Sequence, residues 1–264
     1  MGTETAESFY RNLGADRFES TGHTAGPWSP EAQHAGPPSA LLGRAFERHQ
    51  PREGFRIARV TLDIPRPVPV AELTVAVRTV RSGGRSELLE GELTAQGEVV
   101  MVARAWRMAA SPQDTPALRP EPLPQPLPGP QSPDRLRGTA QNGYVAAMEW
   151  RWPGETTFDH PGPGTVWARQ RHPLVAGEAD TPLTRALTLA DSNWAVAFEL
   201  DHVRQQVINT DVTLALHRDP VGEWLFLSSA TAASPLGSGL ALGRMDDELG
   251  DCGRVLQTLF VAGR

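Results

Sequence analysis

The sequence contains no lysine, so all 25 of its basic residues are arginine. This absence excludes P-loop, Schiff-base and pyridoxal-phosphate enzymes, because their chemistry needs a lysine amine. The single cysteine, Cys252, excludes a disulfide framework and any zinc site built from several cysteines. Cys252 follows Asp251, whose carboxylate disfavours a thiolate, so we do not expect a catalytic cysteine.

Long apolar runs are also absent. No run approaches the roughly 18–20 residues that a membrane helix needs, and the first residues, MGTETAESFYRNLG, lack the apolar core of a signal peptide. The formal net charge is -6, which disfavours sequence-independent binding to nucleic acid or to an anionic membrane. We therefore expect a cytoplasmic protein with no membrane span and no nucleic-acid partner. The spacing of His, Asp and Glu suggests no metal site, and no motif indicates an organic cofactor.

One stretch is far richer in proline than the rest of the chain. Nine of the 24 prolines lie between residues 112 and 133. Proline cannot donate to a helix or a sheet, and it forces the preceding residue towards extended geometry. We therefore predict a semi-rigid, solvated linker over residues 112–136 rather than a motif that binds a partner. The linker separates an N-terminal domain, residues 1–111, from a C-terminal domain, residues 137–264.

The two predicted domains resemble each other. The segment VTLDIPR, which begins at Val60, has a counterpart in VTLALHR, which begins at Val212. Each is followed by an alternating apolar segment, a glycine-containing turn, and a second turn that leads into a last strand. The spacing of these features is nearly the same in both halves, which indicates an internal duplication.

One helical pattern precedes the strands of each half. In the first half, Pro37 and Pro38 are suited to the first turn of a helix whose pattern continues to His49. In the second half, Thr181 is a candidate N-cap, and the apolar spacing continues to Trp194. The following strands are joined by turns too short for parallel crossovers. The sequence therefore predicts an α+β fold in which each half packs a helix on an antiparallel sheet.

Two polar residues interrupt apolar patterns. Asp191 continues the helical stripe of Leu183 and Leu187, and a carboxylate in an apolar interface is a typical general base. Gln257 lies in the apolar row of the last strand, where its amide is suited to hold a water or to polarise a carbonyl. Each has a structural alternative: Asp191 begins the cap of a following turn, and Gln257 is satisfied by neighbouring backbone.

Two further features lie at element boundaries. Asn209 lies just before a strand predicted from Asp211, a position typical of turn chemistry. His34 and Gly36 lie where the first helix begins, and a glycine there lets a ligand or another backbone approach the helix N–H groups. His34 alone is a weak signal, because histidines in surface loops are common.

The whole pattern resembles the thioesterase-like proteins of the acyl-CoA thioesterase II type. The resemblance is carried by HAGPPSALLGRAFERH from His34, LADSNW from Leu189, INTDVTLALHR from Ile208, EWLFLSSATAASPLGSG from Glu223 and GRVLQTLFVAGR from Gly253. It covers nearly the whole chain apart from the linker and the first residues. It implies a double hotdog, in which two tandem antiparallel sheets each wrap around a central helix. The implied reaction is hydrolysis of a fatty or related acyl-CoA, without metal or organic cofactor.

The resemblance also implies site residues. The catalytic aspartate and glutamine of the family match Asp191 and Gln257. The family's hydroxyl residue falls at Asn209, and this is a departure because asparagine has no hydroxyl. The candidate substrate contacts are His34, Gly36 and Trp194.

The internal alignment places Arg104 of the first half where the second half has Gln257. One working site per chain is therefore expected, in the second half. The acyl chain is expected to enter an apolar tunnel between the halves, with the CoA phosphates near surface arginines. Sheets of this type continue edge to edge between chains, so the resemblance implies a homo-oligomer.

Two other functions stay open. A non-catalytic protein that binds an acyl-CoA, an acyl thioester or another lipid is favoured by the missing hydroxyl at Asn209. An enoyl-CoA hydratase of the same fold needs a histidine paired with a carboxylate at the helix start. His34 is available for that role, but Glu31 is the only acid that closely precedes it, so this function is ranked last.

Overall fold

The computed structural model describes residues 7–110, 123–132, 142–155, 157–158, 160–197, 199–200 and 204–264. The first half contains β1 (Tyr10–Gly14), β2 (Arg17–Ser20), β3 (Ala25–Gly26), β4 (Ser29–Gln33), α1 (Gly36–Arg48), β5 (Phe55–Asp63), β6 (Glu72–Arg81), β7 (Ser86–Ala95) and β8 (Glu98–Ala109). The second half contains α2 (Gly143–Ala147), β9 (Met148–Arg151), β10 (Gly164–Gln170), α3 (Pro182–Ala190), α4 (Asn193–Val196), β11 (Gln205–Asn209), β12 (Asp211–Leu216), β13 (Leu225–Ala233), β14 (Ser238–Asp247) and β15 (Gly250–Gly263).

Most of these strands form one continuous antiparallel sheet, as the short turns predicted. Its order is β1-β2-β6-β7-β8-β5-β12-β15-β14-β13-β10-β9, with β11 also paired to β15. The halves join where β5 pairs with β12, so that Val60 faces Leu214 and Leu62 faces Val212. The order on one side of this junction mirrors the order on the other. The two segments that the sequence identified as counterparts therefore pair with each other.

The two long helices pack against each other and against the sheet. Helix α1 contacts β5, β6 and β7, whereas α3 contacts β10 and β12. Two glycines of α1 allow the close approach, because a Cβ on Gly36 would lie 2.2 Å from the carbonyl oxygen of Thr188, and one on Gly43 would lie 2.3 Å from Leu187 Cδ1. The N-terminus of α1 is therefore held directly against the C-terminal turn of α3.

The second predicted helix is shorter than its apolar pattern suggested. Thr181 caps α3 as expected: its Oγ1 accepts the Thr184 N–H, and Thr184 Oγ1 accepts the Thr181 N–H. The helix ends at Ala190, and α4 begins only at Asn193. Asp191 therefore lies at a break between two helices and not within one. Polar residues with short side chains favour such breaks, because they compete for backbone hydrogen bonds.

The described part of the predicted linker, residues 123–132, contacts the sheet and is largely exposed: six of its ten residues are exposed and none is buried. Leu127 packs against an aromatic cluster that includes Trp167 and Phe226. Trp167 Nε1 donates to the Gln125 carbonyl at 2.8 Å, and the Arg151 guanidinium donates to the Pro128 carbonyl at 3.0 Å. Residues 112–122 and 133–136 lie outside the described residues, and the domain boundaries stay a prediction.

The strand register corrects the internal alignment by one residue. Thr61 and Thr213 are counterparts; Thr61 pairs with Arg104, and Thr213 pairs with Leu256. Arg104 therefore corresponds to Leu256, and the counterpart of Gln257 is Ala105. A shift of one residue moves a side chain to the other face of a sheet, which explains why Arg104 is exposed whereas Gln257 is buried. Among the described residues, no helix is long and apolar enough to cross a membrane.

Candidate active site

Asp191 is the centre of a buried polar cluster. It follows the last residue of α3, and only 2% of its surface is exposed. A carboxylate buried to this extent is costly unless hydrogen-bond donors surround it. The N-terminus of α1, which carries partial positive charge, lies against the same turn.

Two side chains donate to the Asp191 carboxylate, and a third lies beside it. Asn209 Nδ2 donates to Asp191 Oδ1 at 2.7 Å, and Gln257 Nε2 donates to the same oxygen at 3.1 Å. His34 Nδ1 lies 3.0 Å from the other oxygen, Oδ2. Asn209 ends β11, Gln257 lies in β15, and His34 lies two residues before the start of α1. Both oxygens of the carboxylate are thus held, by residues from both halves of the chain.

His34 is buried, so the expectation that it is a surface-loop histidine is wrong. It is 6% exposed, and its ring stacks on Tyr144 at a centroid distance of 3.7 Å. Burial lowers the pKa of His34, and the nearby Asp191 carboxylate opposes that shift. The imidazole is therefore neutral at pH 7 and carries one ring proton.

The position of that proton decides what Gly36 does. The Gly36 N–H donates to His34 Nδ1 at 3.2 Å, and the same ring nitrogen lies 3.0 Å from Asp191 Oδ2. A neutral ring nitrogen either donates or accepts. A proton on Nδ1 satisfies the carboxylate and leaves the Gly36 N–H without this acceptor.

The first turn of α1 offers few other donors. Pro37 and Pro38 have no N–H, and the Ser39 N–H donates to the Ala35 carbonyl. The Gly36 N–H is the remaining donor of this turn; it is bonded to His34 Nδ1 and becomes available to a ligand only when Nδ1 carries the proton.

Gln257 also has the structural role that the sequence left open. Its Oε1 accepts the Trp194 N–H at 3.0 Å, and its Nε2 lies 3.2 Å from the Asp191 carbonyl oxygen. One side chain thus fixes both ends of the break between α3 and α4. It holds the main chain and the carboxylate together.

Two family models match nearly the whole chain. The acyl-CoA thioesterase N-terminal domain matches residues 24–108, and the acyl-CoA thioesterase C-terminal domain matches residues 113–261. The chain belongs to the acyl-CoA thioesterase family. By that membership it is a thioester hydrolase.

Solved structures agree with the fold of this thioesterase. A putative thioesterase II from Thermobifida fusca is 18% identical, with 97% of each chain covered and a TM-score of 0.70. A protein of unknown function with a hot dog fold from Alicyclobacillus acidocaldarius is 17% identical, with 96% of each chain covered and a TM-score of 0.70. An acyl-CoA thioesterase II from Mycobacterium marinum is 16% identical, covering 97% of this chain and 95% of its own, with a TM-score of 0.65. Among curated proteins, none matches the sequence.

Five of the six candidate residues lie together in the thioesterase. They are Asp191, Asn209, Gln257, His34 and Gly36. Trp194 reaches the cluster through its main-chain N–H, and a role for its indole stays a prediction.

Sequence reasoning missed Tyr144, which supports the cluster from below His34. Its hydroxyl donates to the Thr188 carbonyl at 2.8 Å and lies 2.9 Å from Ser192 Oγ. The one available signal was rarity, since the chain has only two tyrosines. The pairing of His34 with Asp191 was also missed, because the two residues belong to different halves.

Proposed function

We propose that the chain hydrolyses an acyl-CoA thioester, with Asp191 as general base for an attacking water. The observation that carries the proposal is the buried carboxylate, which accepts hydrogen bonds from two amides of the second half and contacts His34 of the first. In the reaction, a water oxygen bonds to the thioester carbon while Asp191 accepts the water proton. The C–S bond then breaks, and the sulfur leaves as a thiolate that takes up a proton to give CoA. A positioned general base contributes roughly 10²–10⁴-fold to such a step.

Asn209 and Gln257 orient the base. The 2.7 Å contact from Asn209 supports a role like that of a hydroxyl, because an amide N–H also donates to the carboxylate. This contact uses a nitrogen, so the side-chain oxygen of Asn209 remains to accept a hydrogen bond from the water. The departure from the family's hydroxyl residue is thereby consistent with catalysis.

Gly36 supplies an N–H to the oxyanion. The Gly36 N–H donates to His34 Nδ1 in the structure; when the His34 proton lies on Nδ1 towards Asp191, that N–H loses its acceptor and donates to the acyl carbonyl oxygen instead, and the positive end of α1 adds to the stabilisation. Trp28, which is 59% exposed with its ring 5.9 Å from that of His34, marks the side from which CoA approaches.

The architecture supports one such site per chain. We infer a double hotdog, with α1 and α3 as the two central helices and with the acyl chain between the halves. The second half supplies the base and both amides, and the first half supplies His34 and Gly36. A cytoplasmic location, a homo-oligomer and the acyl tunnel stay predictions.

The test is thiol release from short, medium, long and aromatic acyl-CoAs, comparing the wild type with Asp191→Asn. The matched control is Asp219→Asn, which neutralises a half-exposed carboxylate elsewhere. We expect multiple turnovers in the wild type and the control, and a loss of at least ~10²-fold in Asp191→Asn at an unchanged Tm. If no acyl-CoA is cleaved but one still raises the Tm of the wild type, the chain is a binding protein.

One observation favours a second candidate, an enoyl-CoA hydratase. Sequence reasoning ranked it last for want of an acid near His34, and the 3.0 Å contact with Asp191 supplies one. Loss of enoyl absorbance on water addition, without thiol release, would identify this activity. Thiol release without that change would exclude it.

A further inference from the structure

Glu7, His23 and His172 form a second cluster, separate from the candidate active site. Glu7 Oε2 lies 3.8 Å from His23 Nε2 and 3.5 Å from His172 Nε2. The three candidate ligand atoms all lie within 4.8 Å of one another. Within the described part of the chain, this group brings two histidines and an acidic side chain together with their ligand atoms close enough to share one ion.

Backbone contacts hold both histidines in place. His23 is the central residue of a 3-10 turn, Gly22–Thr24, and its N–H donates to the capping residue Thr21. His172 lies between Arg171, whose N–H donates to the Ala147 carbonyl, and Pro173, whose carbonyl accepts the Phe9 N–H. Pre-positioned donors reduce the entropy that a bound ion must remove.

Glu7 is held less firmly but adjoins a fixed residue. The Ser8 carbonyl accepts the Thr21 hydroxyl at 2.6 Å, and the Ser8 hydroxyl donates to the Tyr10 carbonyl at 2.9 Å. The Glu7 side chain itself is 68% exposed, so it is free to adjust to an ion.

The two histidine rings lie side by side against the same carboxylate. They stack at a centroid distance of 4.3 Å, and their Nε2 atoms lie 3.8 Å and 3.5 Å from Glu7 Oε2. A neutral imidazole has one ring nitrogen without a proton, and this is the atom that binds metals.

We propose that Glu7, His23 and His172 bind one divalent transition-metal ion of the Zn²⁺ class. Bonds of about 2.0–2.2 Å in tetrahedral geometry place ligand atoms roughly 3.3–3.5 Å apart. The contacts from Glu7 are at or just above this spacing, so small side-chain movements bring the ligands into position. Two imidazoles and one carboxylate select Zn²⁺, Co²⁺ or Ni²⁺ over Mg²⁺ and Ca²⁺, which prefer oxygen ligands alone. A water completes the tetrahedron.

The ion ties the start of the described chain to the second half. Glu7 precedes β1, His23 follows β2, and His172 follows β10. The turn that carries His23 also supports the active site, because the Thr24 carbonyl accepts the His34 N–H at 2.8 Å. Bound metal is therefore expected to stabilise the loop that holds His34.

The test is Zn²⁺ titration calorimetry on the full, tag-free, metal-stripped chain. The wild type is compared with His172→Ala, with the isosteric Glu7→Gln, and with His217→Ala, which removes an exposed histidine elsewhere. We expect one ion per chain, a Kd raised at least ~10-fold in the two ligand variants, and no change in His217→Ala. Zn²⁺ should raise the Tm of the wild type, and Co²⁺ should give the visible absorption of a four-coordinate site.

Two results overturn the proposal. One is the absence of saturable one-site binding in the wild type. The other is Zn²⁺ binding of unchanged affinity in both His172→Ala and Glu7→Gln, because the ion then lies elsewhere, for example at His34 and Asp191. Glu7→Gln alters an exposed side chain, so it tests the site even if His172→Ala does not fold.

Discussion

Replacing Gly36 with alanine should separate the two parts of the active site. The added Cβ would lie 2.2 Å from the Thr188 carbonyl oxygen, and real Cβ contacts essentially never fall below 3.0 Å. Because the obstacle is backbone, one helix must move away from the other. The Thr188 carbonyl also accepts the Tyr144 hydroxyl, so the movement reaches the ring that stacks on His34.

The size of the effect follows from this distance. The helices must part by about 1 Å, and a misplacement of that size is enough to cost ~10² in rate. Overpacking of a core costs about 1–3 kcal/mol, equivalent to a fall in Tm of roughly 2–4 °C per kcal/mol in a chain of this size. We therefore expect Gly36→Ala to lose about two orders of magnitude in kcat/KM and several degrees of Tm.

Gly43→Ala is the matched control, because it adds the same methyl to the same helix. Its Cβ would lie 2.3 Å from Leu187 Cδ1, the end of a side chain that rotates away. Helix propensity favours this alanine by up to about 1 kcal/mol. We expect near wild-type kcat/KM and little change in Tm.

Both variants are assayed by thiol release and thermal unfolding. Full activity in Gly36→Ala, or an equal loss of activity in both variants, would refute the reasoning that the approach of α1 to α3 positions the site. Loss of stability without loss of activity would show that the helix contact is structural alone.

Three further predictions follow from single contacts. Burial alone would raise the pKa of Glu87, but hydrogen bonds from two arginines and a serine lower it to about 2. Glu87→Gln leaves Arg107 buried without its counter-charge, so it should lower the free energy of unfolding at pH 7 by about 3–5 kcal/mol, as measured by denaturant titration. The difference in stability between wild type and variant should shrink as pH falls from 4.5 towards 2, because wild-type Glu87 then takes up a proton. Burial raises the pKa of Cys252 to about 12, so an aromatic disulfide reagent should label it only after unfolding; rapid labelling of the native chain would contradict this. Trp167→Phe removes the hydrogen bond to Gln125, worth about 1 kcal/mol, so limited proteolysis should cut residues 123–132 faster; an unchanged rate would show that this bond does not hold the segment.

Local signals predicted the fold well. The prolines at the start of α1, the cap at Thr181 and the short turns between strands are all decided within a few residues of chain. The end of α3 was not predicted, because the apolar spacing from Leu183 continues through Asp191 to Trp194. The apolar periodicity shows which side chains are buried. The residues at the break between α3 and α4 are buried on the same side, so the periodicity does not reveal where α3 ends.

The sequence predicted which residues belong to the candidate site better than it predicted which of them contact each other. Asp191 and Gln257 stand out as polar groups in apolar rows, and this signal is local. The contact of His34 with Asp191 depends on the packing of α1 on α3, which no spacing within either half encodes. The same limit applies to Glu7, His23 and His172, whose three segments meet only in the folded chain.

The β5–β12 junction has a consequence for how the duplicated halves evolve. Each half supplies candidate site residues that the other lacks, so neither half is a redundant copy that is free to diverge. A substitution that shifts the pairing of Leu62 with Val212 would move Asp191, in the second half, relative to the start of α1, in the first half. The β5–β12 junction is therefore expected to be under the same selective constraint as the candidate catalytic residues, although it contains none of them.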